Sequence, residues 1–242
     1  KMIRNYKKKI YENKIQFVAV SNWIKKEALN SSILKDANII KIDNNINTKD
    51  FKKLDQEKAK SILKISTKKQ IILYGAQNPQ SPRKGWKIFI ESLRKIDRSN
   101  FFLIIFGNFW SEKIIDEIGI DYKSMGFIEE KSLLNTVYCS ADFFVASSIE
   151  DAWPKTFAEA MYCGIPVVCF KNTSISEIVD HKKNGFIADH FNSESLREGI
   201  EWLSEAILKG VINSKDVTKK ASKYNPESTA KKYLELYKRI AK

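Results

Sequence analysis

Histidine, cysteine and long apolar runs are scarce in this 242-residue sequence. Its two histidines, His181 and His190, sit in polar connecting segments. Its three cysteines, Cys139, Cys163 and Cys169, have neither C-x-x-C spacing nor an even count. That excludes a zinc cluster and a disulfide framework, and the apolar neighbourhoods of the three thiols make them small buried hydrophobes. There is no Asp-x-Asp pair, so no metal site is expected. No stretch approaches the roughly 20 apolar residues that span a bilayer. The opening KMIRNYKKKI lacks the apolar core of a signal peptide, so the cytoplasm is the expected compartment. Arginine-rich runs and aromatic stacking strips are missing too, which argues against nucleic acid as the partner of a chain with net charge +13. That charge favours anions in general: phosphorylated small molecules, or an acidic membrane surface.

What the chain does have is a normal globular supply of apolar residues, 43%, laid out in short blocks. Near-continuous runs suited to strands buried on both faces fall at 15–20, 38–42, 70–75, 101–107, 142–148 and 165–170, with a weaker one at 185–189. Between them lie the amphipathic patterns WKIFIESLRKI, SEKIIDEIG, EKSLLNTVYCS, PKTFAEAMYCG and ISEIVDHK. Buried strands alternating with helices predict an α/β fold with a doubly wound, Rossmann-like parallel sheet. After about Asn192 the pattern is all helical, ending in 226–242. The first 50 residues fit poorly as the opening of that sheet. One strand, one helix with Ser21 as N-cap, and a short strand lead to the polar, glycine-free loop DNNINTKD. This predicts the tail of a preceding domain and a linker, with a boundary near 43–51, in a chain excised from something longer.

In doubly wound sheets ligands bind at the carboxyl ends of the strands. The loop after 70–75 carries Arg83-Lys84-Gly85 just ahead of a helix. Two cations beside a helix N-terminus suit a diphosphate, although an isolated R-K-G is more often a solvated turn. The loop after 142–148 reads SIEDAWPKT, with Pro154 near the first helical position and Lys155-Thr156 in the first turn. That makes a second possible phosphate cradle. Asp151 and Glu159, eight positions apart, could accept hydrogen bonds from sugar hydroxyls on either side of the phosphates. Taken singly, they are a capping residue and a helix-surface residue.

The succession of the RKG loop, the strand ending FGN, GFIEEKSLLNTVYCSADFFVASS, EDAWPKTFAEAMYCGIPVVCF and EIVDHKKNGFI resembles the C-terminal, donor-binding half of family 4 glycosyltransferases with the GT-B fold, as in bacterial surface-polysaccharide enzymes. Residues 16–51 are similar to the stretch by which those enzymes leave their N-terminal domain, and YNPESTAKKYLELYKRI resembles their last helix. The resemblance implies three segments. Residues 1–47 would end an acceptor domain, 48–225 would bind a nucleotide sugar, and 226–242 would cross back toward the first domain.

It also implies roles. Glu159 would bind the ribose and Asp151 the donor sugar. Backbone amides at Trp153, Pro154, Lys155 and Thr156, with Arg83 and Lys84, would hold the diphosphate of a UDP- or GDP-sugar. Gly126, Phe127 and Ile128 would receive the base. Lys84, Asp151 and Glu159 are the implied catalytic residues of a retaining hexosyl transfer that uses fixed positive charge and no cofactor. The acceptor would be a glycan or a lipid-linked sugar near the anionic inner membrane. Many relatives have Glu where this chain has Asp151, and Arg where Ala76 follows Gly75. No catalytic histidine or glycine-rich acceptor loop matches, so the chain alone is expected to be inactive. The alternative is a nucleotide-binding or interaction module without transferase activity.

Overall fold

The computed structural model describes residues 2–11, 15–111 and 113–241. Glu112 and Lys242, which belong to two expected helical stretches, lie outside them. The chain divides into two compact units, residues 1–46 with 224–242, and residues 47–223.

The first unit holds α1 (Met2–Tyr11), β1 (Phe17–Ala19), α2 (Asn22–Asn30) and β2 (Ile39–Lys41). β1 and β2 pair in parallel, Val18 opposite Ile40. Ser21 caps α2 as expected: its Oγ accepts the Ile24 N–H at 3.2 Å.

The second unit carries the main sheet. Its elements are α3 (Gln56–Ile62), β3 (Gln70–Gly75), α4 (Trp86–Leu93), β4 (Phe101–Phe106), α5 (Lys113–Ile118), β5 (Asp121–Ser124), α6 (Lys131–Ser140), β6 (Phe143–Ala146), α7 (Lys155–Tyr162), β7 (Val167–Phe170), β8 (Gly185–Ala188), α8 (Ser193–Leu208) and α9 (Ser214–Ala221). The six strands run in the order β5-β4-β3-β6-β7-β8, every pair parallel. The continuous apolar runs follow from this architecture, because every strand of the sheet except the edge strand β5 is largely buried on both faces. Ile72, Leu103, Ile105, Phe143, Val145 and Val168 join Trp86, Phe89, Ile90 and Leu93 of α4 and Leu196, Ile200 and Leu203 of α8 in one core. Their alternating neighbours face the other way, where Phe106 meets Tyr138 of α6.

α10 (Pro226–Ile240) belongs to the first unit. Its N-cap Asn225 accepts the Ser228 N–H at 2.8 Å. The Ile46 N–H donates to Tyr224 O at 2.7 Å, and Lys232 pairs with Asp43 at 3.4 Å.

One expectation needs correction. ISEIVDHK is not a helix: only a 3-10 turn forms, at Ile175–Glu177. Ile175, Ile178 and Val179 are buried, so one turn is enough to produce the helical spacing of apolar residues. β5 was not among the apolar runs, because DYKS is an edge strand with no fully buried residue.

Gly199 lets α8 lie close on β7 and β8; a Cβ there would stand 2.6 Å from the Phe186 ring and 2.8 Å from Val168. Gly199→Ala gains up to about 1 kcal/mol of helix propensity but overpacks a filled core at a cost of about 1 to 3 kcal/mol. The net expectation is a lower urea midpoint with an unchanged m-value; a midpoint above the parent's would contradict the close packing.

Candidate donor site at the sheet reversal

Strand order reverses between β3 and β6: the chain continues from β3 to β4 on one side, then returns to place β6 on the other. The loops leaving these two neighbours diverge, and the crevice between them is where a doubly wound sheet binds ligands. Residues 76–85 and 147–154 are those loops.

A network of backbone bonds fixes the first loop onto the second. The Arg83 carbonyl accepts the N–H groups of Ile149 at 2.8 Å and Glu150 at 3.2 Å. The Lys84 carbonyl accepts hydroxyl bonds from Ser147 at 3.0 Å and from Tyr74 at 3.2 Å. Burial of Tyr74 pushes its phenol well above the usual range, so it stays a neutral donor. Gly85 is left-handed (φ 68°), and a Cβ there would lie 1.9 Å from the Ser147 carbonyl oxygen. Glycine is therefore required on two counts, conformation and contact.

With the carbonyls of Arg83 and Lys84 turned to β6, their side chains meet Asp151. Lys84 Nζ forms an ion pair and hydrogen bond with Asp151 Oδ2, and Arg83 lies 3.9 Å from the same oxygen. The Lys84 and Asp151 side chains are only 11% and 13% exposed, against 56% for Arg83. Asp151 is held on its other side by the Trp153 N–H, 3.2 Å from Oδ1, and its carbonyl accepts the Ser174 hydroxyl at 2.5 Å. Trp153 is buried. Pro154 then begins α7 without a side-chain cap, so the first-turn N–H groups at Lys155 and Thr156 lack intrahelical partners. Ala76, Lys84, Ser148, Pro154 and Thr156 line a narrow cleft at this point.

Glu159, further along α7, is buried, and its Oε2 accepts the Tyr138 hydroxyl at 2.9 Å. Burial raises its carboxyl above the ordinary value, while Tyr138 and the charges of Lys131 and Lys155 act in the opposite sense. The third part is the β4–β5 rim. The Gly107 N–H donates to Gly126 O at 2.7 Å, and Gly126 is left-handed (φ 60°). Phe127 is half exposed and Ile128 is buried.

The structure thus gathers Arg83, Lys84, Asp151, Trp153, Pro154 and Thr156 at the reversal, with Glu159 inside α7 and Gly126, Phe127 and Ile128 on the separate β5 loop. Tyr74, Tyr138, Ser147 and Ser174 were missed. All four lie in or beside apolar runs; a buried phenol or hydroxyl needs a partner, and that was the available signal. Among the described residues no group of three or more His, Cys, Asp or Glu could hold a metal. A roomier pocket of about 560 Å³ opens at the amino ends of β3 and β4, beside Lys69, Gln70 and Glu201. It touches none of these residues and lies at the wrong end of the strands for a doubly wound sheet, so volume is a poor guide here.

Comparison with known proteins bears on the fold first. The sucrose-phosphate synthase from Thermosynechococcus elongatus superposes with a TM-score of 0.84 over 99% of this chain and 61% of its own, at 19% identity. Anabaena Alr3699/HepE in complex with UDP-glucose gives 0.77 over 98% and 68%, also at 19% identity. In sequence, an N,N'-diacetylbacillosaminyl-diphospho-undecaprenol alpha-1,3-N-acetylgalactosaminyltransferase of Campylobacter jejuni is 25% identical over 160 residues, covering 66% of this chain and 42% of that protein. An uncharacterized glycosyltransferase of Haemophilus influenzae is 30% identical over 81 residues, 33% of this chain and 23% of its own. The chain therefore spans less than half the length of these curated relatives. The family model described as glycosyl transferases group 1 matches residues 55–223, and the chain belongs to that family, with an α/β domain of the GT-B type.

Proposed function

We propose that this chain is the donor-binding part of a retaining glycosyltransferase, of the hexosyl type, that moves a sugar from a UDP- or GDP-sugar to a glycan or lipid-linked acceptor. The process would be bacterial surface-polysaccharide assembly, such as capsule or O-antigen. The observation that carries the proposal is the Lys84–Asp151 pair, flanked by Arg83 at the sheet reversal and adjoining the uncapped start of α7. A cation, a carboxylate and free amides side by side offer a diphosphate and a sugar hydroxyl their natural partners.

In this structure Lys84 is paired with Asp151. Donor binding would exchange those partners: Lys84 and Arg83 to the diphosphate, with the first-turn amides, and Asp151 to the sugar hydroxyls. Glu159 would take the ribose, and the backbone at Gly126, Phe127 and Ile128 the base. As the bond from the anomeric carbon to the diphosphate breaks and one to the acceptor hydroxyl forms on the same face, negative charge grows on the leaving oxygens. Fixed cations and amides stabilise it without reorganising. A pure nucleotide-binding module would have no use for a carboxylate on the sugar side, which ranks that alternative second.

Residues 48–225 would form this part. Residues 1–47 would close an acceptor domain, to which 226–242 return, so the fragment alone would not turn over. Among the curated relatives the Campylobacter protein's name specifies a diphospho-undecaprenol acceptor, which supports a lipid-linked substrate. The +13 charge would then hold the enzyme against the anionic cytoplasmic face of the membrane, and vesicle flotation indifferent to anionic lipid would contradict that contact.

Lys84→Ala in the full-length enzyme should cost about 2 to 4 kcal/mol of transition-state stabilisation; unchanged donor affinity together with an unchanged kcat would sink the assignment. Glu159→Gln separates stability from binding. Because the folded-state value of Glu159 is raised, the parent loses stability as pH rises from the ordinary carboxylate range through that value. The glutamine cannot ionise. The variant should melt higher than the parent above this window and match it below, while UDP affinity falls about 10- to 100-fold, the worth of a charge-assisted hydrogen bond. A variant that binds UDP normally would remove Glu159 from the site.

A further inference from the structure

Tyr138 of α6 is fully buried, and rings from two other segments enclose it. Phe51, ahead of α3, stands 5.8 Å away in a tilted arrangement, and Phe106, the last residue of β4, 6.0 Å away edge to face. The segment that carries Phe51 is itself tied to α6, because the Lys52 N–H donates to Asn135 Oδ1 at 2.8 Å. A ring packed in this way holds its hydroxyl in one place, and that hydroxyl donates to Glu159 Oε2 at 2.9 Å. Burial and the neighbouring Glu159 charge keep the phenol well above its usual range, so Tyr138 is the donor of the bond. Among the described residues the other carboxylate oxygen, Oε1, has no hydrogen-bond partner, yet it is not sealed from solvent.

We propose that Tyr138 is a positioning residue for Glu159: by occupying Oε2 it presents Oε1 as the acceptor for a ribose hydroxyl, and so makes the site selective for ribonucleotides over deoxyribonucleotides. The proposal rests on the assignment of Glu159 to the ribose. A glutamate side chain has three rotatable bonds, and ordering it at the moment of binding would take away part of the affinity gained. Here the ordering is already done, because one oxygen is held by a phenol that packing immobilises. A hydroxyl that reaches Oε1 therefore meets an acceptor fixed in place. It also meets one that is largely withdrawn from water, where a hydrogen bond to a charged group is strong and its loss leaves the acceptor unpaired. A sugar that lacks the hydroxyl is penalised on both counts.

The test is titration calorimetry of the chain with UDP and GDP, each also as its 2′-deoxy and 3′-deoxy form. With the base that fits, at least one deoxy form should bind roughly 10- to 100-fold more weakly than the ribonucleotide, the worth of a hydrogen bond to a charged group. Tyr138→Phe keeps the ring and removes the hydroxyl. In that variant the ratio should fall several-fold, while the gain on adding the β-phosphate to the monophosphate stays at the parent's value. Adding Tyr138→Phe to Glu159→Gln should lower the ratio no further, because the phenol acts through the carboxylate. A phenol that only packs would instead lower the melting temperature and weaken all three forms by one common factor, which would overturn the proposal. So would a parent that binds ribo- and deoxyribonucleotides equally, a result that needs no variant to fold. A parent that binds neither UDP nor GDP would overturn the donor reading itself.

Discussion

The close approach of Gly85 to the Ser147 carbonyl is the constraint on which the candidate site depends. A parallel sheet that reverses its strand order leaves two adjacent strand ends with diverging loops, and nothing in that topology alone brings the loops together. Here the absence of a Cβ at Gly85 lets the turn after β3 settle on the end of β6. Ser147, Tyr74 and the Ile149 and Glu150 amides then use up its inward carbonyls. What remains to the turn is its two cationic side chains, and the carboxylate of the β6 loop that meets them is Asp151.

That meeting has an energetic logic. Lys84 and Asp151 are largely withdrawn from water, so each would be costly without a counter-charge. In this structure each supplies the other's. Under the proposed exchange a donor carrying both a diphosphate and sugar hydroxyls would replace both partners at once, whereas phosphate alone would draw Lys84 and Arg83 away and leave Asp151 with only the Trp153 amide. Such an exchange would favour a ligand with both groups. Glu159 follows the same rule deeper in α7: its carboxylate is held by one buried phenol in surroundings that oppose its charge.

The doubly wound parallel sheet was legible because five of its six strands, buried on both faces, write their positions as apolar blocks. The elements that escaped were those that bury little. The helix α3 has only Ala59 buried and is fixed by its Asp55 cap, and β5 is a polar edge. ISEIVDHK misled for the opposite reason, since one turn with three buried aliphatics imitates a helix. In the site, spacing and residue type singled out Arg83, Lys84, Asp151 and Glu159, but not that Lys84 and Asp151 pair, because they are 67 residues apart. Tyr138 lies 21 residues from Glu159 in what reads as core helix, and only the fold turns its hydroxyl toward a carboxylate. Cys139 and Cys163, apolar filler by composition, take polar partners in Lys52, Leu54 and Asn135 once the chain folds.

Titration calorimetry of the chain with uridine, UMP, UDP and a UDP-sugar, repeated with the guanosine series, tests the central claim most directly. In the series whose base fits, affinity should rise stepwise, with the largest gain on adding the β-phosphate and a further gain on adding the sugar; Lys84→Ala should remove the phosphate gain. Nucleosides that bind as tightly as their diphosphates, or gains that survive Lys84→Ala, would contradict a donor site built on the Lys84–Asp151 exchange.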